Sequence, residues 1–197
     1  MLSHKDLADR IERGSIVFTP AVPSKSIKQV SVDLRIDRLY TTFKEKPHIG
    51  SIRLTDSLFT DADLWENDTR DIYVLRQGHF VLAQTFEDVS LPNDLMGLVE
   101  GRSSLARLGI GIHLTAPKID PGFRGKITLE MSNNGNVDVE LVAGESRVCQ
   151  LMFLLITKPL TEEEIYGGSP DDVFANQATP VPAGRVANVA KRTGRDR

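Results

Sequence analysis

Apolar and polar residues alternate along several short segments of this chain. In residues 31–36, Val32, Leu34 and Ile36 are apolar and the residues between them are polar. This period of two predicts a half-buried β-strand, with one face in the core and the other in solvent. Residues 126–132 alternate in the same way, which predicts a second strand of this kind.

From residue 72 onward, short apolar runs are separated by residues that favour tight turns. Gln77-Gly78 divides the first two runs, and Pro92-Asn93-Asp94 lies within the next segment. Many short strands with few helices favour an all-β barrel or sandwich. The predicted strands, with these dividing turns, occupy residues 72–85, 89–101, 110–115, 126–132, 137–142 and 147–156.

The beginning of the chain is predicted to add one helix to these strands. Residues 3–13 are helical in pattern, with Ser3 as the N-cap, Leu2 and Leu7 placed as a hydrophobic staple and Gly14 as the stop signal. The segments that follow are a strand at residues 15–18, a loop at 20–28 and a strand at 38–43.

Two segments lack the pattern of a core. Residues 44–71 are polar and weakly periodic, which predicts a long surface excursion anchored by Trp65 and mobile at its tip. Residues 159–197 are rich in proline and glycine, so they are either disordered or an arm that orders over a site or a neighbouring subunit. We expect a β-barrel domain at residues 1–158 and a C-terminal arm at 159–197.

Net charge and cysteine content argue against several classes of function. With a net charge of −3, the chain has no general attraction for nucleic acid or anionic membranes. Cys149 is the one cysteine, and its apolar neighbours indicate a small buried hydrophobe rather than a nucleophile. There is no signal-peptide pattern, and the apolar run at residues 148–156 is too short to span a bilayer. We therefore expect a soluble cytoplasmic protein.

The candidate chemistry is concentrated within residues 100–130. Arginine presents a planar set of donors suited to phosphate or carboxylate oxygens, and serine hydroxyls can complete such an anion site. We therefore interpret the segment as a nucleotide site. Its guanidinium, hydroxyl and carboxylate groups belong to Arg102, Ser103, Ser104, Arg107, Asp120 and Glu130.

Two motifs in this region carry a family resemblance. Residues 101–109 (GRSSLARLG) and 119–130 (IDPGFRGKITLE), followed by a strand that contains Gln150, resemble the dCTP deaminase branch of the dUTPase-like superfamily. The similarity also includes the N-terminal helix, residues 31–36 and the tail. It implies a mainly β, distorted jelly-roll-like barrel with a short N-terminal helix and a C-terminal arm. It also implies a homotrimer whose active sites are shared between subunits.

The resemblance assigns roles within the site. Glu130, on the polar face of its strand, would act as general base and then as general acid for attack of water at C4 of cytosine. Ser103, Arg107 and the backbone carbonyl of Ala116 would orient that water. The implied substrate-binding residues are Arg102, Ser103, Ser104, Leu105, Ala106, Arg107, Asp120, Thr128, Leu129, Gln150, Tyr166 and Gln177.

Zinc does not enter this expectation. Zinc-dependent nucleobase deaminases hold their metal with cysteines and a histidine, whereas this chain has one cysteine and four histidines without metal-ligand spacing. Deamination is therefore expected to be metal-free, with Mg²⁺ bound through the nucleotide triphosphate. Feedback inhibition by dTTP is an expectation from the family alone.

Asp120 and Glu130 together leave two reactions open. In the family, the aspartate of the IDPG turn activates water in dUTPases, and the glutamate carries out deamination. A chain with both permits a deaminase or a bifunctional enzyme, and it disfavours dUTPase alone. Pro117-Lys118 matches neither usual pair, although Lys118 is closer to deaminases that release dUTP; Gln150 is shared with the bifunctional and dUTPase forms.

The tail keeps only part of the family pattern. Tyr166, Phe174 and Gln177 have the expected spacing, but Val173 replaces a lysine and Ala178-Thr179 stands where a glycine is expected. Loss of that lysine removes a charge-assisted phosphate contact, typically worth about 1.5–3 kcal/mol.

The leading hypothesis is a homotrimeric hydrolase that deaminates dCTP to dUTP and ammonia, and so supplies dUTP for dUMP and dTTP synthesis. One alternative is a bifunctional dCTP deaminase/dUTP diphosphatase that gives dUMP and pyrophosphate. Another is a dUTPase-like nucleotide-binding regulator.

Overall fold

Twelve β-strands, two α-helices and one 3-10 helix make up the described residues, 1–44 and 65–168, of the computed structural model. No helix among them has the length and apolar character to cross a membrane. In chain order the elements are α1 (His4–Glu12), β1 (Val17–Thr19), the 3-10 helix (Ser24–Ser26), β2 (Ser31–Arg35), β3 (Leu39–Phe43), β4 (Trp65–Thr69), β5 (Ile72–Leu75), β6 (Phe80–Ser90), β7 (Leu95–Gly101), α2 (Ser103–Ala106), β8 (Ile110–Gly111), β9 (Lys118–Ile119), β10 (Arg124–Asn133), β11 (Val139–Val142) and β12 (Arg147–Leu155).

Helix α1 begins as its sequence predicts. Ser3 and Asp6 form a capping box, in which each side chain accepts a hydrogen bond from the backbone N–H of the other residue. Two N–H groups that the helix itself cannot pair thereby gain acceptors. Leu2 and Leu7 are both buried in the core, as expected of a hydrophobic staple.

The strands form three sheets in which every pair is antiparallel. The largest has the order β4-β3-β6-β10-β8, with β1 also paired to β6. The second has the order β2-β12-β7-β9, and β5 pairs with β11. The two larger sheets bury one core, to which Tyr40, Leu129 and Phe153 contribute large side chains. The mainly β, jelly-roll-like fold is therefore confirmed.

Strands β2 and β10 differ in how well their alternation predicts burial. In β10, Ile127, Leu129 and Met131 are buried as predicted. In β2, Ser31 and Asp33 are buried as well, so the prediction of a solvent-facing side is wrong there. The carboxylate of Asp33 tolerates burial because polar side chains from other elements surround it, as described below.

Residues 65–69 form an edge strand where the sequence predicts a surface excursion. Strand β4 pairs with β3, and the rings of Phe43 and Trp65 stack with centroids 3.8 Å apart. The prediction fails because an edge strand whose residues are all exposed or half-buried needs few apolar residues. Strand β6 likewise continues through residues 86–88, where the sequence predicts a break. The predicted mobile tip lies outside the described residues.

Candidate active site

A cleft of about 330 Å³ opens beside strand β10. This volume falls within the range of small-molecule sites. Its lining includes five residues that the sequence predicts for the site: Ala116, Asp120, Thr128, Glu130 and Tyr166. The sequence did not single out the remaining lining residues for binding, namely Lys118, Ile119, Phe123, Lys126 and Ile127.

Strand β10 presents Glu130 to the cleft because its neighbours Leu129 and Met131 face the core. The Glu130 side chain is half-buried, and its Oε2 accepts a hydrogen bond from the backbone N–H of Leu114 at 3.3 Å. Within the described part of the chain, no hydrogen bond or ion pair engages Oε1. One oxygen is therefore held in place, while the other keeps its capacity to accept a hydrogen bond.

A bulge shapes the strand that carries this carboxylate. The pairing of β6 with β10 shifts between Lys126 and Thr128. The Thr85 hydroxyl stabilises this shift in register with two hydrogen bonds. It accepts one from the Ile127 N–H at 2.9 Å and donates the other to the Glu87 carbonyl at 2.8 Å. Bulges bend a strand and re-aim its side chains. The cleft wall next to Thr128 thus depends on one buried hydroxyl.

Lys126 is fixed within the wall. Its ammonium donates to the Phe86 carbonyl at 2.6 Å and pairs with Asp37 at 3.2 Å, and Gln84 donates to the same carboxylate at 2.6 Å. Burial acts to raise the pKa of Asp37, but hydrogen bonds from Gln84, the Arg38 backbone and Lys126 outweigh it and lower that pKa. The charge of Lys126 is thereby largely compensated inside the protein.

Asp120 lines the cleft from a turn that the sequence predicts. The turn is closed by a hydrogen bond from the Phe123 N–H to the Asp120 carbonyl at 3.2 Å. The Lys118 ammonium lies 2.7 Å from Asp120 Oδ1, and both side chains are partly exposed. Asp120 therefore has one oxygen engaged by a cation.

The start of the predicted arm returns to this turn. The Tyr166 N–H donates to the Pro121 carbonyl at 2.9 Å, and the rings of Phe123 and Tyr166 stack with centroids 5.7 Å apart. Gly122 has a φ of +83°, and a Cβ there would lie 2.6 Å from Cβ of Ile165. Only glycine fits this position without strain. The predicted contact of Gln177 with substrate lies outside the described residues.

The serine-rich segment occupies a different place. Ser103, Ser104, Ala106 and Arg107 are exposed on and after helix α2, whereas Leu105 packs against the core. None of these residues lines the cleft, and no hydrogen bond or ion pair among the described residues joins them to Glu130. Within one chain, the predicted site residues therefore fall into two separate groups.

Three further predicted residues have unexpected surroundings. Gln150 donates to the buried Asp33 at 3.1 Å, and a guanidinium nitrogen of Arg102 lies 3.7 Å from the same carboxylate. The Leu129 side chain is fully buried in the core, and its contact with substrate stays a prediction. The sequence did not single out Asp33, because its strand alternates as an ordinary half-buried strand does.

Cys149 is a buried structural residue, and the described acidic residues form no metal-binding group. Cys149 is fully buried, and burial, with the nearby carboxylates of Glu87 and Asp33, raises the pKa of its thiol. The predicted buried hydrophobe is confirmed. Over residues 1–44 and 65–168, no three histidine, cysteine or acidic side chains are grouped so as to hold a metal ion.

Comparisons with known proteins find relatives across most of this chain. A family model described as dCTP deaminase-like matches residues 1–156. A "dCTP deaminase, dUMP-forming" from Methanosphaera stadtmanae is 41% identical over 183 residues, which cover 91% of each chain. The protein of the same name from Dictyoglomus thermophilum is 39% identical over 181 residues, 91% of this chain and 92% of that one.

A solved structure supports the fold. The crystal structure of 2'-deoxycytidine 5'-triphosphate deaminase from Agrobacterium tumefaciens matches with a TM-score of 0.60 at 22% identity. The match covers 83% of this chain but 50% of that chain, which is longer. At this identity the likeness bears on architecture alone.

Proposed function

Because this chain belongs to the dCTP deaminase-like family, we propose that it converts dCTP to dUMP, ammonia and pyrophosphate. The observation that carries this proposal is that Asp120 and Glu130 line one cleft of about 330 Å³. The names of these two relatives, which specify dUMP as product, favour this alternative over the leading expectation of dUTP release.

In the first step, Glu130 is the general base. It takes a proton from water while the water oxygen bonds to C4 of cytosine, and it then protonates the amine so that the C4–N bond breaks. One water proton ends on the ring nitrogen N3 and the other on ammonia, so the carboxylate is regenerated. Support comes from the hydrogen bond of Leu114 to Oε2, which orients the carboxylate and leaves Oε1 for the proton.

In the second step, Asp120 is the general base for hydrolysis of dUTP. It takes a proton from another water, whose oxygen bonds to the α-phosphorus as the bond to pyrophosphate breaks. Magnesium enters with the triphosphate as part of the substrate, because phosphate oxygens suit this ion. The dTTP molecule shares the deoxyribose and triphosphate of the substrate, so feedback inhibition at the same cleft is consistent with this proposal.

The exposed segment after β7 completes the site in a homotrimer. Ser103 and Arg107 of one subunit would orient water beside Glu130 of another, and Ser104 would bind the triphosphate. The exposure of these side chains, and their absence from the lining of the cleft in their own chain, support a shared site. Tyr166 and the arm would then cover the bound nucleotide.

One observation favours a second candidate, the deaminase that releases dUTP. Lys118 lies 2.7 Å from Asp120 Oδ1, so one carboxylate oxygen is engaged by an ammonium rather than by a water molecule. In this case Asp120 would only position the deoxyribose, and dUTP would leave unhydrolysed.

Two variants separate these possibilities when ammonia and pyrophosphate are measured independently. Glu130→Gln should abolish ammonia release from dCTP but keep pyrophosphate release from dUTP. Asp120→Asn should keep ammonia release and accumulate dUTP. Glu140→Gln, a change on an exposed strand position, is the control. Ammonia release that survives in Glu130→Gln would contradict the assigned base, and wild-type protein that leaves dUTP intact would favour the second candidate.

A further inference from the structure

One fully buried carboxylate, Asp33 on strand β2, gathers three cations. Its Oδ2 lies 3.7 Å from the Lys28 ammonium, 3.7 Å from Arg102 Nη2 and 3.3 Å from Arg147 Nη1. Its Oδ1 accepts from the Gln150 amide at 3.1 Å. We call these five residues the Asp33 cluster.

The cluster carries more positive than negative charge. Three cations face one carboxylate, which leaves a formal excess of two positive charges. Asp33 has 0% of its side chain exposed, whereas 33% of Lys28, 27% of Arg102 and 37% of Arg147 are exposed. Like charges held this close repel each other, so the arrangement favours an anion bound from the solvent side.

The geometry leaves donors available to such an anion. At 3.7 Å, Lys28 and Arg102 are beyond hydrogen-bond distance of Asp33, so the carboxylate holds them by charge alone. Arg102 also donates to the Arg147 carbonyl at 3.3 Å, which fixes its guanidinium beside its neighbour. Several N–H groups of the two guanidiniums therefore remain for phosphate oxygens.

The cluster continues into the exposed segment that the proposed function assigns to nucleotide binding. Arg102 directly precedes helix α2, whose first residues are the exposed Ser103 and Ser104. The two serines therefore follow directly in the chain on one of the cluster's cations.

We propose that Lys28 and Arg147 bind the β- and γ-phosphates of the nucleotide together with Arg102, and that Asp33 is the positioning residue for all three cations. This inference rests on the proposed function, since it takes a nucleoside triphosphate as the ligand. It adds two binding residues and one positioning residue to those that the sequence motifs carry. The Asp33 cluster would therefore bind ligands that carry at least two phosphates beyond a nucleoside monophosphate.

The test compares ligands with and without the outer phosphates. Inorganic tripolyphosphate and dCMP are titrated calorimetrically into wild type, Arg147→Gln and Lys28→Gln. Each variant should bind tripolyphosphate about tenfold or more weakly, as expected for a lost charge-assisted hydrogen bond, with dCMP binding unchanged. Arg38→Gln, which removes a cation from an exposed ion pair with Asp71, is the matched control and should bind both ligands as wild type does.

Kinetics separate positioning from a general structural role. Asp33→Asn, Arg147→Gln and Lys28→Gln should raise KM for dCTP by a similar factor and leave kcat for ammonia release unchanged. Unchanged tripolyphosphate binding in both cation variants, or an equal loss of tripolyphosphate and dCMP binding, would overturn the inference. Wild-type protein that binds tripolyphosphate without turning over dCTP would refute the proposed function and leave the phosphate site standing.

Discussion

The contact between Gly122 and Ile165 can be tested by adding one methyl group. Gly122 has a φ of +83°, and a Cβ there would lie 2.6 Å from Cβ of Ile165. Gly122→Ala must either strain the turn at Asp120 or displace the start of the arm. Gly14→Ala is the matched control, because Gly14 has a φ of +71° and nothing lies within 4 Å of an added Cβ.

The two variants share one cost and differ in another. At either position, an alanine with a left-handed backbone conformation destabilises the fold by about 1–2 kcal/mol. The contact at Gly122 adds about 1–3 kcal/mol, the usual cost of overpacking. The stack of Phe123 on Tyr166 contributes only about 0.5–1.5 kcal/mol. We therefore expect the arm to leave the barrel, with its docking equilibrium shifted about 5- to 150-fold.

Chymotrypsin measures this release, because Tyr166 is half-buried and stacked when the arm is docked. Cleavage after Tyr166, identified by mass spectrometry, should be at least about fivefold faster in Gly122→Ala. It should be unchanged in Gly14→Ala, and KM for dCTP should rise in Gly122→Ala alone. Equal cleavage rates in the two variants would show that this contact does not hold the arm.

Three further outcomes depend on buried polar contacts in the two larger sheets. Arg35→Met should lower the free energy of unfolding in urea by about 3–5 kcal/mol, because Glu87, with 1% of its side chain exposed, loses its partner at 2.7 Å. Adding Glu87→Met should recover most of that loss, and no recovery would contradict the assignment. Thr85→Val should lower the free energy of unfolding by about 1–3 kcal/mol in the same assay, because the Ile127 N–H and the Glu87 carbonyl each lose a hydrogen-bond partner. An unchanged free energy of unfolding would contradict this role of the Thr85 hydroxyl. The pKa of Asp37 is lowered in the folded state, so its stabilisation is present above the ordinary value of 3.8 and is lost as the pH falls through the folded value. The difference in Tm between wild type and Asp37→Asn should therefore shrink on acidification through this range, and a constant difference would argue against it.

The sequence predicted those features that depend on interactions between residues close together in the chain. The capping box at Ser3 and Asp6 follows from residue types three positions apart. The face of β10 that carries Glu130 follows from alternation, because every second residue of a strand points to the same side. The turn at Asp120 follows from proline and glycine at fixed offsets.

The parts that the sequence did not predict depend on contacts between distant segments. Asp33 looks like a solvent-facing residue of an alternating strand, yet Arg147, 114 positions away, supplies a hydrogen bond to it. Strand β4 has the composition of a loop, and its pairing with β3 makes it a strand. The separation of Ser103 from the cleft that contains Glu130 depends on the folded path of the chain, which motif spacing does not reveal.

Product analysis shows whether this one protein converts dCTP all the way to dUMP. Wild-type protein is incubated with dCTP and Mg²⁺, and nucleotides are separated by chromatography while ammonia and pyrophosphate are measured over time. We expect dUMP, ammonia and pyrophosphate in equal amounts, without accumulation of dUTP. Accumulation of dUTP in step with ammonia, together with dUTP that stays intact when added alone, would contradict it.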